Sequence, residues 1–275
     1  MRKKDRKLYF FGALVLLIVL IALFSDYLVP CDPYAQDLGR SLLPPSAEHL
    51  LGTDRYGRDL LSRVIAGSRT TVFSALALVA IIALAGSAVG IVSGFCGGKL
   101  DAILMRISDV FLAFPGMVFA IAVAGVTGGG IRNAVAALAC ISWPKYARIA
   151  RSQTLSVKSR TYMEAARLSG ESAWKRVLRH IVPNIAGSVI VTAVLDIGTM
   201  MMEIAGLSYL GIGATAPLAE WGSMMSDGRS MLQTAPWVIL APGCAIFLTV
   251  MAFNLFGDAV RDALDPGQRK GAQNG

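Results

Sequence analysis

The chain has 275 residues, 55% of them hydrophobic and only 16% charged, with a mean hydropathy of +0.58. A soluble domain carries about a quarter charged residues; here the apolar excess falls in blocks of about 20 residues, enough to cross a hydrocarbon core of about 30 Å, which excludes a soluble protein. The net charge of +8 gathers at the termini and between the apolar blocks, where it sets membrane topology and does not point to nucleic acid.

In chain order, a basic tail (1–7, MRKKDRK) precedes a first span over about 8–28. No small-residue cleavage site follows it, and the proline before Cys31 fits a lipoprotein site poorly, so the span is expected to stay uncleaved. Residues 29–71 form a long segment, proline-rich at first and then amphipathic, with Leu60, Leu61, Val64 and Ile65 on one side of an expected helix. Within it Arg55 and Asp59, and Asp59 and Arg63, stand four residues apart and are expected to pair across turns. Five further spans are expected at about 72–96, 105–127, 133–151, 185–206 and 237–257, the fourth continuing past Pro144 into KYARIAR. Residues 72–257 are thus a five-helix core holding two insertions, a basic loop at 152–184 and a glycine-rich segment at 207–236 that suits re-entrant backbone buried in protein. Residues 258–275 form a second tail. With the N-terminus inside the cell, 19 Lys and Arg fall on inner segments, Lys145 among them, and 7 on outer ones. That bias predicts an all-α membrane protein of six transmembrane helices with both termini cytoplasmic.

Few residues suit catalysis. GTDRYGRD, Gly52 to Asp59, has the glycine spacing of a phosphate-binding loop, but Arg58 replaces the lysine and Asp59 stands where a hydroxyl should bind magnesium, so the match is accidental. His49 and His180 lie outside the spans, leaving no base for an intramembrane nucleophile. Cys31, Cys96, Cys140 and Cys244 are too scattered for a zinc site. Met200, Met201 and Met202, being consecutive, cannot converge on one soft ion, so no metal site is expected. Charges inside spans cost about 2.5–3.5 kcal/mol each near the centre and ask for a reason. Asp196 and Glu203 share one helix face with Met200 between them. Either they line a solute pathway or they bond to neighbouring helices and fix packing; Asp109, near Arg106, is expected to be structural.

The loop reading YMEAARLSGESAWKRVLRHIVPN, residues 162–184, carries helix signals. Thr161 and Glu164 have capping-box spacing, Gly170 permits a left-handed turn, and ESAWKRVLRHIV reads as a second short helix that Pro183 and Asn184 hand on to span five. Two short helices, basic on one side and bearing Trp174, Val177 and Leu178 on another, make a knob suited to a partner groove.

EAARLSG followed by HIVPN resembles the EAA loop of binding-protein-dependent ABC importer permeases. LGTDRYGRDLLSRVIAGSRT, FPG, WPKYARIARSQTL, LSYLGIG and FNLFGDAVRDALDP extend the resemblance to the dipeptide, oligopeptide and nickel branch over nearly the whole chain. TAPLAEWG is closer to nickel-type permeases, although the histidines that such permeases often carry near Thr199 and Glu203 are absent.

The resemblance implies a type I importer permease fold in the bacterial inner membrane. It also implies a heterodimer with a second permease, two cytoplasmic ATPase subunits that hold ATP and magnesium, and an external solute-binding protein. The chain itself is then neither an enzyme nor a cofactor carrier, and its cargo is nickel or a metal chelate, with dipeptides and oligopeptides as the alternative. Glu164, Ala165, Ala166, Gly170, Ile181 and Pro183 are the expected ATPase-coupling residues. Asp196, Met200 and Glu203 are the expected pathway, and Glu220, Trp221, Arg55 and Arg58 the expected binding-protein contacts. A rival from another class is a proton-driven secondary transporter working through Asp196 or Glu203, which would need no ATPase.

Overall fold

The computed structural model describes residues 3–264. Met1 and Arg2 of the first tail and residues 265–275 of the second lie outside the described residues. Eleven α-helices account for the described fold, and the sole β-pairing there is an isolated bridge between Thr53 and Asp59. α1 (Lys3–Leu23) and the one-turn α2 (Ser25–Leu28) lead into an irregular segment, and α3 (Leu60–Cys96) follows. α4 (Gly98–Ala113) and α5 (Gly116–Val126) are two limbs bent by 86°. α6 (Ile131–Lys158) is followed by the short α7 (Thr161–Leu168) and α8 (Ala173–Arg176), and then by α9 (Val182–Tyr209). α10 (Trp221–Gly228) and α11 (Trp237–Leu264) complete the described residues. Among the described residues, four helical runs are long and apolar enough to cross a membrane, and the bent pair makes a fifth candidate.

Three of these elements differ from the sequence expectation. The amphipathic helix expected around 55–65 is the first two turns of α3, a single 37-residue helix, and Arg55 and Arg58 precede it in a tight turn. Its start is set by Asp59, whose carboxylate caps the Ser62 N–H at 2.8 Å and is therefore not available as a helix-face partner for Arg55 and Arg63. The expected straight span over 105–127 breaks at Phe114-Pro115, where proline forces extended backbone on its neighbour. The edges of Phe111 against Phe119 and Trp143 pack the bend. Finally, α8 is not separate from span five. A π-turn over Val177–Ile181 joins it to α9, so helix runs unbroken over Ala173–Tyr209. Pro183 has no N–H to give and would clash with the Arg179 carbonyl, and the wider π-turn relieves that conflict without ending the helix.

The interior is centred on α3, α6, α9 and α11, with Leu78, Leu138, Tyr146, Met201, Ile204 and Phe253 fully or almost fully buried. Water does not drive helices together inside a bilayer, so close backbone approach has to. Gly86, Gly90 and Gly94 repeat every four residues along α3 and press against Trp143, Ala147 and Arg151 of α6. A Cβ on Gly90 would lie 2.9 Å from the Ala150 Cβ, and one on Gly94 would lie 3.0 Å from the Thr154 Cβ. α6 also carries basic residues that α4 neutralises. Arg151 binds Asp101 with two bonds of 2.6 and 2.7 Å, and Arg148 binds Asp109 at 2.7 Å. Asp109 is a packing residue as expected, with Arg148 in place of Arg106 as partner.

Gly90→Val should force α3 and α6 apart and destabilise the fold by about 1–3 kcal/mol. Gly97→Ala, at a position with open space around its Cβ but a backbone conformation open almost only to glycine, should cost about 1–3 kcal/mol by backbone strain alone. Thermal unfolding of the two detergent-purified variants measures both losses.

Candidate functional site

The 152–184 loop folds into a compact knob. α7 carries Glu164 and Ala165 exposed and Ala166 half-buried. It ends at Gly170, whose φ of +78° lets the Glu171 N–H reach back to the Ala166 carbonyl at 3.1 Å and its own N–H reach Arg167 at 3.1 Å. This is a Schellman turn, which a side chain at Gly170 would strain. The expected capping box does not form. Arg160 holds the cap position, Thr161 is already the first helical residue, and no side chain caps α7. Ser172 caps α8, and the Glu171 carboxylate accepts from the His180 Nε2–H at 2.9 Å, tying the turn to the π segment. The knob seats on the bundle through Met163 and Ile181, buried with Ala150, Val157 and Ile185. Ile181 is thus an anchor inside the chain, while Pro183 is exposed on the helix. Outward, Leu168 is 89% and Trp174 71% exposed, with Tyr162 and Leu178 beside them in the exposed apolar set. The knob thus bares large apolar groups among basic ones.

The expected pathway stripe is turned inward. Asp196 and Met200 are buried, Glu203 is half-buried, and Met202 is the exposed member of the methionine run. Asp196 is bound on both oxygens, by Lys145 Nζ at 2.5 Å and by the Tyr146 hydroxyl at 2.9 Å. Asp196 is thus bonded to the neighbouring helix α6. A cavity of about 540 Å³ instead lies between α9, α10 and α11, walled by Met202, Tyr209, Met225, Ile246, Phe247 and Val250 among others. Among the described residues, no three His, Cys, Asp or Glu side chains stand close enough to hold a metal ion.

At the other end of the bundle, Glu220 and Trp221 are buried, which removes them as direct contacts for an external protein. Glu220 caps α10, accepting from the Gly222 and Ser223 N–H groups at 3.0 and 2.8 Å, and the Trp221 Nε1–H donates to the Val64 carbonyl at 2.9 Å. Together they lock α10 against α3. Arg58 is also buried, bound to Asp54 at 2.6 Å. Asp54 additionally accepts from the Tyr56 and Arg58 N–H groups, so the backbone of the loop that imitates a phosphate site is already occupied. Of the four expected contacts, Arg55 alone is partly open, paired with Asp227 at 2.9 Å across to α10.

Sequence reasoning missed Lys145, Tyr146, Glu171 and Asp227 as site residues. Lys145, counted there with the basic residues of the inner segments, sits in the middle of α6. Its signal was a lysine in WPKYARIAR, within a helix expected to run past Pro144.

The comparisons agree with this architecture. Residues 86–270 match the family described as "Binding-protein-dependent transport system inner membrane component", and residues 3–45 match the "N-terminal TM domain of oligopeptide transport permease C". A probable D,D-dipeptide transport system permease protein of Escherichia coli (strain K12) is 45% identical over 255 residues, covering 93% of this chain and 86% of that protein. The nickel transport system permease protein of the same strain is 43% identical over 253 residues, covering 92% and 91%. A glutathione transport system permease protein of Pectobacterium atrosepticum is 43% identical over 256 residues, covering 93% and 85%. Among solved structures, the inward-facing MetNI methionine ABC transporter superposes with a TM-score of 0.62 at 17% identity, covering 75% of this chain and 98% of that one, and so shares the fold. An all-helical bundle with an exposed basic knob, aligned with these permeases over nearly its whole length, belongs to the binding-protein-dependent transport system inner membrane components, in the dipeptide, oligopeptide and nickel branch, as the permease subunit of an ABC importer.

Proposed function

We propose that this chain is one of two different permease subunits of an importer driven by two cytoplasmic ATPase subunits and fed by an external solute-binding protein. Six spans cross the membrane, the bent pair and α6 completing the set, with both termini in the cytoplasm. ATP and magnesium belong to the ATPase subunits. The observation that carries the reading is the unbroken helix over Ala173–Tyr209, which joins the knob bearing Trp174 to the wall of the 540 Å³ cavity at Met202 and Tyr209. A solute pathway with no energy source of its own needs a partner that binds its two states unequally. A groove that grips Glu164, Leu168 and Trp174 moves the foot of a rod about 55 Å long, and the cavity wall at its far end moves with it.

The cargo on this reading is an organic solute, a dipeptide or a metal held in a chelator. The names of the relatives, which cover a D,D-dipeptide, nickel and glutathione, support both. The cavity favours a wrapped metal over a bare one, because its wall of methionine, aromatic and aliphatic side chains has no hard ligand for a divalent cation. Deleting this chain should abolish uptake of a radiolabelled dipeptide, or of nickel supplied with a chelator. Loss of chelator-free nickel uptake alone would sink the organic-cargo reading.

Glu164→Lys and Gly170→Asp should each weaken ATPase docking by about 2 kcal/mol, roughly 30-fold in affinity, and stop uptake while the chain still reaches the membrane. Co-purification of the ATPase subunits and immunoblots of membranes test this, and normal docking in both variants would refute the knob's role.

The turn itself should be sensitive to acid. The His180 hydrogen bond, with Lys175 and Arg179 adding positive charge nearby, holds the Glu171 carboxyl below the ordinary carboxylate range. A depressed carboxyl stabilises the knob above its unfolded value and loses that contribution as pH falls through the folded one. Amide protection over 170–181 should therefore decline from about pH 5 downward, and Glu171→Gln should remove that dependence.

A further inference from the structure

A second cavity, of about 350 Å³, lies between the ends of α3 and α6 and the knob helices α7 and α8, lined by Phe95, Lys158, Met163, Glu164, Arg167 and Arg176. Three cations therefore share it with one carboxylate. Among the described residues no carboxylate pairs with any of the three, and Glu171, the other acid of the knob, is taken by His180, Lys175 and Arg179. The Phe95 ring gathers two of the cations, with Lys158 Nζ 5.8 Å and Arg176 Cζ 5.4 Å from its centroid. Lys158 uses one N–H on the Phe95 carbonyl at 2.7 Å and has two more to offer. The Arg176 Nε–H is buried and has no acceptor among the described residues. A buried donor of that kind asks for a partner from outside the chain, and like charges held this close repel one another until an anion joins them.

The place of the cavity says which anion. From Thr70 to its end at Cys96, α3 carries no charged side chain, about 40 Å of helix and close to the full thickness of a bilayer with its headgroups. Phe95, next to last in that helix, thus comes to headgroup level. One turn back from Phe95 and from Lys158, Val92 of α3 and Leu155 of α6 are exposed apolar groups, placed to lie along an acyl chain. Arg176 leaves α8 about 200° round from Trp174, so it turns onto Phe95 while the exposed tryptophan faces away, and a protein gripping Trp174 approaches from the other side. We propose that this cavity binds the phosphate of an anionic phospholipid, with Arg176 and Lys158 as its ligands and Arg167 at the rim. A zwitterionic lipid fits less well, because its headgroup brings a fourth positive charge to the site. The bound phosphate bridges α6 and α8 across Phe95, and holds the knob to the membrane surface by charge as Met163 and Ile181 hold it to the bundle by packing. The site requires that α3 span the bilayer and is independent of the cargo.

The test uses the purified transporter with its co-purifying subunits, and native mass spectrometry counts the lipids it retains from mixed micelles. The probes are phosphatidylglycerol and phosphatidylcholine with the same acyl chains, with inorganic phosphate as competitor. Phosphatidylglycerol should be retained in preference. Arg176→Gln and Lys158→Gln should each lower that preference about fivefold, and Arg176→Lys should recover most of it. Lys99→Gln, which removes an exposed cation near the end of α3 but outside the cavity, should leave it unchanged. Should Arg176→Gln fail to fold, Arg167→Gln at the exposed rim reads the same preference. Equal retention of the two lipids would overturn the site, and so would an equal loss with Lys99→Gln, which would mean diffuse attraction to a basic surface. Displacement of the lipid by an equal concentration of inorganic phosphate would overturn the lipid as the source of the phosphate. Loss of ATPase co-purification in Arg176→Gln with the lipid preference intact would assign the cavity to an acidic protein segment instead. None of these readouts needs transport, so a failed cargo assay leaves them decisive.

Discussion

The contact on which the rest of this molecule depends is the glycine seam between α3 and α6. Inside a bilayer the hydrophobic effect does not drive one helix against another, so the pair is held by backbone proximity. Gly86, Gly90 and Gly94 allow it by presenting no side chain toward α6. With the two backbones this close, α6 cannot rotate, and each of its polar residues has a fixed direction. Tyr146 points inward to Asp196, Arg148 and Arg151 reach α4, and Lys145 is left half open. The lower part of the same seam, with Ala150 and Val157 on α6 and Ile91 and Phe95 on α3, is the floor on which Met163 and Ile181 seat the knob.

Rigidity then passes upward along one element. Helices that carry force between a soluble partner and a membrane site must not break where they enter the bilayer, and a proline there would ordinarily break them. Here the π-turn over Val177–Ile181 accepts Pro183, and the Asn184 side chain donates to the His180 carbonyl at 2.6 Å as a further tie. The Schellman turn at Gly170 and the Glu171–His180 bond hold α7 at a set angle to this rod. The knob, the continuous helix and the cavity wall at Met202 and Tyr209 are therefore joined without a break.

The opposite end solves a different problem. The segment between α2 and α3 has little regular structure and carries Asp54, Arg58 and Asp59, which with Arg63 in the first turn of α3 are all buried. It holds together because every one of these charges has a partner. Asp54 binds Arg58 and Arg63, while Asp59 binds His49 and caps α3. Arg55 extends the network to Asp227 on α10, and Glu220 and Trp221 pin α10 to α3 from beneath. The shape of this face rests on that buried lattice.

Much of this was legible in the residues. Apolar block length, the Lys and Arg bias and the EAA-type loop determine a multi-span permease with a knob, because span length and charge placement are local properties that lipid reads directly. Gly170 announced its turn for the same reason, since only local sterics were involved. The tertiary structure alone decided which charges face inward. Asp196 looked like a pathway residue and is buried, Glu220 looked like a surface contact and is a buried cap, and Lys145 looked like a topology signal and is a half-open cation at the middle of its helix. Helical periodicity says which residues share a face, but what that face meets depends on helices distant in sequence, and here it was settled by three glycines that let α6 come close.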